Sequence, residues 1–235
     1  MSRIKSTISA LPLVFVILGV AMAIGGFKNF TIFMSGNVIN INESTVSDFD
    51  KEAMAEGNIT FVYGPFAVLE TSHKTYGITT STSETNYYIV GNFDQKTYQK
   101  YFEDEEEVDM SYMILQVSDE ALQKRLDSAA KEWISFLTYT GNSDMPPQVS
   151  INIKGMFIKT SDDVEFEEYY QDAREDLENV GISASQYAKM TLRNGELTAA
   201  RAYGTFFGGI GLAVLGIVIL IICIRIRKKN AAAQW

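Results

Sequence analysis

Two long apolar runs, one near each end of the chain, frame a middle section in which apolar and polar residues alternate over short periods. The first run covers Ile8–Phe27 and the second Tyr203–Ile226, with no charged residue in either before Arg225. A helix of about 20 residues, rising 1.5 Å each, crosses the roughly 30 Å of hydrocarbon in a bilayer, so both runs are expected to span one. Pro12 falls in the first turn or so of the first helix, where a missing N–H costs little.

Between the runs the pattern predicts a series of short elements. Ser47–Glu56 reads as a short helix, with Ser47 as cap and Asp48, Asp50 and Glu52 near its positive end. Ile59–Tyr63 alternates as a strand and Gly64-Pro65 ends it, while Phe66–Glu70 fits strand or helix equally. Tyr76–Thr82 and Asn86–Phe93 are predicted to form a hairpin turning at Ser83-Glu84. Met110–Val117 reads as a strand. Asp119–Leu137 reads as an amphipathic helix, because Leu122, Leu126, Ala129, Ala130, Trp133, Ile134 and Leu137 recur at three- and four-residue steps.

A loop over Gly141–Pro147 leads to a strand at Val149–Ile158, interrupted at Gly155. A second helix is expected over Asp162–Asn179, capped by Ser161 and closed by Gly181, with Val164, Tyr169 or Tyr170, Ala173 and Leu177 on its apolar face. Gln186–Leu192 is the last strand. This order implies an α+β fold: a mostly antiparallel sheet with two packed helices, flanked by two transmembrane helices. The strand–helix alternation after Met110 leaves room for a parallel portion.

Charge orients the expected arrangement. Arg3 and Lys5 precede the first run, and Arg225, Arg227, Lys228 and Lys229 close the second, so positive-inside bias puts both termini in the cytoplasm. The divisions expected are a cytoplasmic start at 1–7, helices at 8–27 and 203–226, an extracytoplasmic domain at 28–202 and a basic cytoplasmic tail at 227–235. All 29 acidic residues of the chain lie in 28–202, with 14 of its 20 basic ones, a formal charge of −15. Anionic headgroups and nucleic acid repel such a domain, so nucleic-acid binding is excluded. Ala21-Met22-Ala23 has the form of a signal-peptidase site, but the apolar run continues to Phe27, which favours a retained anchor over a removed signal.

The residues offer little chemistry. Cys223, the only cysteine, lies in the second apolar run, so the middle domain has no disulfide. His73 is the only histidine, which removes zinc sites and Cys–His or Ser–His catalysis and leaves His73 as a surface residue. Nucleotide-binding loops and nucleophile elbows are missing from the sequence, and neither a cofactor nor a metal site is expected. Asp48-Phe49-Asp50-Lys51-Glu52 starts like a calcium loop, but Ala53 stands where glycine is needed, and Ile59 where glutamate is. The run Glu103–Glu107 is a solvated charge cluster with calcium binding as its rival use.

Small residues in the apolar runs carry the most specific pattern. Gly204 and Gly208 form G-x-x-x-G, and Gly19 with Ala23 and Ala21 with Gly25 repeat the spacing at overlapping depth. They are expected to pack the two helices as a hairpin, or instead to join two copies as a homodimer through Gly204 and Gly208.

The short stretches Gly57-Asn58, Lys74-Thr75-Tyr76-Gly77-Ile78, Asn86-Tyr87-Tyr88-Ile89-Val90, Ile153-Lys154-Gly155-Met156 and Glu168-Tyr169-Tyr170, in this layout, resemble an uncharacterised family of two-helix membrane proteins. That family is bacterial, found in Gram-positive anaerobes, and carries a cysteine-free extracytoplasmic α+β domain. The resemblance implies topology and no chemistry. The function expected is therefore a membrane-anchored, non-enzymatic binding module whose partners are the lipid bilayer and an envelope or membrane protein. A carboxylate-dependent envelope hydrolase and an accessory subunit of a transport or secretion complex are the rival readings.

Overall fold

A computed structural model describes residues 2–75, 78–92, 108–138 and 147–232. Two compact units divide the chain: residues 1–37 with 197–235, and residues 38–196.

The first unit is a pair of long helices, α1 (Ser2–Ser35) and α4 (Ala199–Ala232). Ala10–Ser35 and Ala199–Lys229 are both long and apolar enough to cross a membrane. Each helix has 34 residues and therefore measures about 51 Å, well beyond the apolar runs. The extension past Phe27 has a simple cause. Lys28 to Ser35 are more polar, yet none is glycine or proline, so hydropathy falls while helix continues. Gly36, at φ +63°, supplies the left-handed residue that ends it.

The second unit is built on a seven-stranded sheet with strands β1 (Val38–Asn40), β2 (Met54–Ile59), β3 (Phe61–Thr75), β4 (Ile78–Gly91), β5 (Val108–Val117), β6 (Ile151–Lys159) and β7 (Ile182–Asn194). Their spatial order is β1-β2-β6-β7-β5-β4-β3. The β1–β2 and β5–β7 pairs are parallel and the other four antiparallel. Helices α2 (Glu120–Thr138) and α3 (Val164–Asn179) complete an α+β domain with a mixed sheet.

Both faces of β5, an interior strand, are buried. Met113, Leu115 and Val117 of β5 join Tyr88, Val90, Phe157 and Leu192 in one apolar cluster, and Tyr112 and Ile114 join Ile89 and Phe61 in a second. Helix α2 gives Leu126, Ala129 and Ala130 to the first cluster and Trp133 to the second, as its three- and four-residue spacing requires. The Trp133 indole N–H donates to the Thr60 carbonyl at 2.9 Å, which satisfies its one polar atom. Helix α3 packs Phe166, Tyr170, Ala173 and Leu177 into the second cluster.

Several elements differ from the sequence expectation. Residues 47–56 are not one helix: a 3₁₀ turn occupies Val46–Asp50 and β2 begins at Met54. Thr45, not Ser47, precedes the turn, and its N–H donates to Asp48 Oδ2 at 2.9 Å. The predicted turn at Ser83-Glu84 is absent, and β4 runs straight through it, pairing Ser83 with Thr71 and Glu84 with Glu70. The Ser/Thr-rich run from Thr79 to Thr85 holds an extended chain readily, and neither Ser83 nor Glu84 demands the positive φ of a tight turn. Strand β3 likewise continues past Gly64-Pro65, absorbing them in an irregularity between Tyr63 and Ala67.

Gly155 does not break β6. A Cβ there would strike the Arg193 carbonyl oxygen of β7, so glycine permits close strand pairing. Helix α3 is capped by Asp163, whose Oδ1 accepts from the N–H groups of Glu165 at 3.0 Å and Phe166 at 3.2 Å. Val164 is accordingly 83% exposed, and Phe166 takes the core position expected of it.

Candidate functional site

The small residues singled out in the apolar helices fall into two groups. Gly19 and Ala23 lie where α1 meets α4. A Cβ on Gly209 would press on the backbone nitrogen of Ala23 and lie 2.7 Å from the Gly19 carbonyl oxygen. A Cβ on Gly19 would in turn press on the Ala213 nitrogen and lie 2.7 Å from the Gly209 carbonyl. Gly25, Gly204 and Gly208 have open space where a Cβ would be, and Ala21 is exposed.

The seam runs instead through Pro12, Gly19 and Gly26 of α1 and through Ala202, Gly209, Ala213 and Gly216 of α4, all buried. Apart from Ala213 these recur every seven residues, which keeps them on one face of each helix. The strict G-x-x-x-G pair Gly204 and Gly208 lies off this face, whereas Gly209 and Ala213 repeat on α4 the small-residue spacing of Gly19 and Ala23. Bulky residues face outward: Leu11, Ile17, Leu18, Ile24, Val214 and Ile226 are each at least half exposed. An aromatic group of Phe27, Phe30, Tyr203, Phe206 and Phe207 closes one end of the pair, with the Phe30 and Phe206 rings stacked 4.6 Å apart.

In the sheet unit, the feature most suited to binding lies along β3. Among the described residues no strand pairs with its outer edge, because β3 ends the sheet. Register irregularities at Tyr63/Ala67 and His73/Lys74 bracket a regular stretch from Ala67 to Ser72. Val68 and Leu69 in that stretch are each 53% exposed. Three successive apolar residues, Ala67-Val68-Leu69, put apolar groups on both faces of an edge strand. That run was the signal for the site in the sequence, obscured because strand and helix fitted it equally.

Between this stretch and the start of α3 opens a groove of about 370 Å³. Tyr87, Phe166 and Tyr169 line it with Ala67–Leu69, and Ser161, Asp163 and Glu165 form its polar rim. The Tyr87 and Phe166 rings meet edge to face at 4.9 Å, and Phe66 packs 5.5 Å from both Phe166 and Tyr170. This packing makes the wall a built part of the core. The Tyr169 hydroxyl donates to Glu165 Oε1 at 2.8 Å and holds that carboxylate at the rim. The same contact raises the tyrosine's pKa.

A second recess of about 280 Å³ adjoins β3 at Tyr63–Phe66 and shares Tyr169 with the groove. Asp172 and Asp176 are its charged residues, and the Tyr63 hydroxyl donates to Asp176 Oδ2 at 2.9 Å. Among the described residues, no lysine or arginine lines either space. Helix α3 supplies Glu165, Glu167, Glu168, Asp172, Glu175, Asp176 and Glu178 against a single cation, Arg174. That guanidinium is drawn away, 4.4 Å over the Tyr187 ring and 3.9 Å from Glu178.

Among the described residues, no group of three or more His, Cys, Asp or Glu is arranged to hold a metal ion. The acidic run 103–107 lies outside the described residues, as does the side chain of His73. The carboxylates nearest the groove already accept hydrogen bonds from Tyr169, Tyr63 or the α3 backbone, which suits fixed negative charge at a binding surface.

No curated protein matches the chain. One family model does, over residues 1–224, a span that takes in both units almost completely. The chain therefore belongs to the family described as Domain of unknown function (DUF8577).

Proposed function

We propose that this protein is a two-pass membrane protein whose domain, residues 38–196, works outside the cytoplasm as a module that binds another protein of a bacterial cell envelope. The observation that carries the binding reading is the unpaired, apolar and regular stretch Ala67–Ser72 of β3 beside an aromatic-walled groove. An extended segment of a partner would add to the sheet there by main-chain hydrogen bonds, with alternate side chains entering the groove. Membrane anchoring is supported by the surface of the α1–α4 pair, where bulky apolar groups face out while Gly19, Gly26, Gly209 and Gly216 face in. The basic residues at the start of α1 and at the end of α4 support cytoplasmic termini.

Two measurements test this reading. In a Cys223→Ser background, a membrane-impermeant maleimide is expected to label Glu175→Cys in intact cells, and Lys228→Cys only after permeabilisation. The reverse pattern would overturn the orientation. A photo-crosslinking residue at Leu69 is expected to give a discrete adduct in intact cells that the same residue at Glu132 on α2 does not. Equal yields at the two positions would remove the groove from the function.

A further inference from the structure

We infer that the β3 edge recognises one chemical class of partner, an extended polypeptide segment in which apolar and basic residues alternate. This inference rests on the strand-addition reading above and adds the identity of the segment.

The first observation is the charge of the surroundings. The two spaces along β3 are bordered by Asp163 and Glu165, and by Asp172 and Asp176, with no cation among the described residues that line them. The second is internal to the ribbon. Glu70 and Glu84 stand directly opposite each other on β3 and β4, both exposed. Like charges facing across a strand pair repel, so the ribbon by itself gains nothing from this choice. A cationic side chain on a strand added beside Glu70 would convert the repulsion into attraction.

Alternation follows from the pleat. Ala67 pairs with Tyr87, and Leu69 pairs with Thr85 two positions on, so Ala67 and Leu69 share the groove face with Tyr87. Val68 and Glu70 take the opposite face, with Asn86 and Glu84 as their partners. A strand laid along Ala67–Ser72 would therefore meet an apolar wall with alternate residues and the Glu70–Glu84 pair with those between. A second copy of this chain fits poorly. Antiparallel pairing of β3 with itself would bring two copies of Glu70 and two acidic α3 helices together, and the domain's net charge adds to the repulsion.

The test uses the full chain in lipid nanodiscs and three short labelled peptides of alternating Val-Lys, Val-Glu and Val-Ser. The Val-Lys peptide is expected to bind about tenfold more tightly than Val-Ser, the effect of a few exposed opposite-charge pairs, and Val-Glu not measurably. Added salt should erase most of that margin. Methylating alternate backbone amides of the Val-Lys peptide should abolish its binding. Glu70→Lys with Glu165→Lys should reverse the order in favour of Val-Glu, a gain that misfolding cannot mimic.

Equal binding of all three peptides, with sensitivity to amide methylation, would overturn the basic-segment inference and keep strand addition. Binding indifferent to amide methylation, or no binding by any peptide, would overturn both. Self-association of the chain through β3 that the Val-Lys peptide does not displace would assign the edge to a second copy and refute the proposal.

Discussion

Adding one methyl group at Gly209 tests the packing of the long helices directly. Its Cβ would press on Ala23 N and sit 2.7 Å from Gly19 O and 2.9 Å from Ala23 Cα, all backbone atoms that no rotamer change can move. Ordinary carbon contacts lie at about 3.5–4.0 Å, so the helices must part locally by about 1 Å, and each pair along the seam forfeits a quarter to a half of its attraction. Summed over the close pairs of the seam, the loss is about 1–2 kcal/mol. Gly208→Ala meets nothing within 4 Å, and removes only the conformational entropy of glycine, a gain of roughly 0.5–1 kcal/mol. Gly209→Ala shares that entropic gain, so the two adjacent substitutions should differ by the packing loss alone, about 1–2 kcal/mol, with Gly208→Ala the more stable.

Fluorescence transfer between dyes on Ala10→Cys and the native Cys223, followed as denaturing detergent displaces a mild one, reports parting of the helices. Gly209→Ala and Gly19→Ala are expected to lower the midpoint, while Gly204→Ala and Gly208→Ala leave or raise it. The double variant Gly19→Ala, Gly209→Ala should cost less than the sum, because the first methyl has already opened the gap that the second needs. Equal damage from Gly208→Ala and Gly209→Ala would refute the seven-residue seam.

The capping role of Asp163 predicts that Asp163→Ala destabilises the domain by about 0.5–2 kcal/mol in urea unfolding, and that Ser161→Ala has a small effect. A loss confined to Ser161→Ala would restore the cap expected from sequence. Alkaline pH supplies another check. Burial, aided by the Asp176 carboxylate, pushes the Tyr63 hydroxyl up to about 12, and burial also pushes Tyr170 up to about 12. The unfolded chain releases these protons near pH 10 and the folded one holds them, so this stabilisation is complete below pH 10 and is lost as pH rises towards 12. Unfolding midpoints measured across that window should fall, and less steeply in Tyr63→Phe. A flat profile to pH 12 would contradict the burial of these hydroxyls.

What the sequence made legible was whatever repeats with a strong period. Helix α2 announced itself through Leu126, Ala129, Ala130 and Trp133, and the two long helices through sheer apolar length. The β3–β4 hairpin was placed wrongly because Ser83-Glu84 looks like punctuation by composition, although a turn is dictated by backbone conformation that these residues do not require. The end of α1 was missed for a related reason: hydropathy marks where a chain leaves an apolar medium, and helix termination needs a stop such as Gly36. The start of α3 depended on which of Ser161, Asp162 and Asp163 reaches the free N–H groups, a choice settled by geometry between adjacent good caps. The groove was invisible until Val68 and Leu69, near Tyr87 in register but remote from Phe166 and Tyr169 in sequence, were brought beside α3.

The close fit of Gly216 to Pro12 joins residues about 200 positions apart in sequence. At about 5–20 residues per second of synthesis, α1 is complete roughly 10–40 s before its partner exists. Throughout that interval the notched face of α1 lacks its partner α4, while the whole sheet domain is made. The α1–α4 seam therefore closes only after the sheet domain has been synthesised, and until α4 emerges the notched face of α1 is open to other helices.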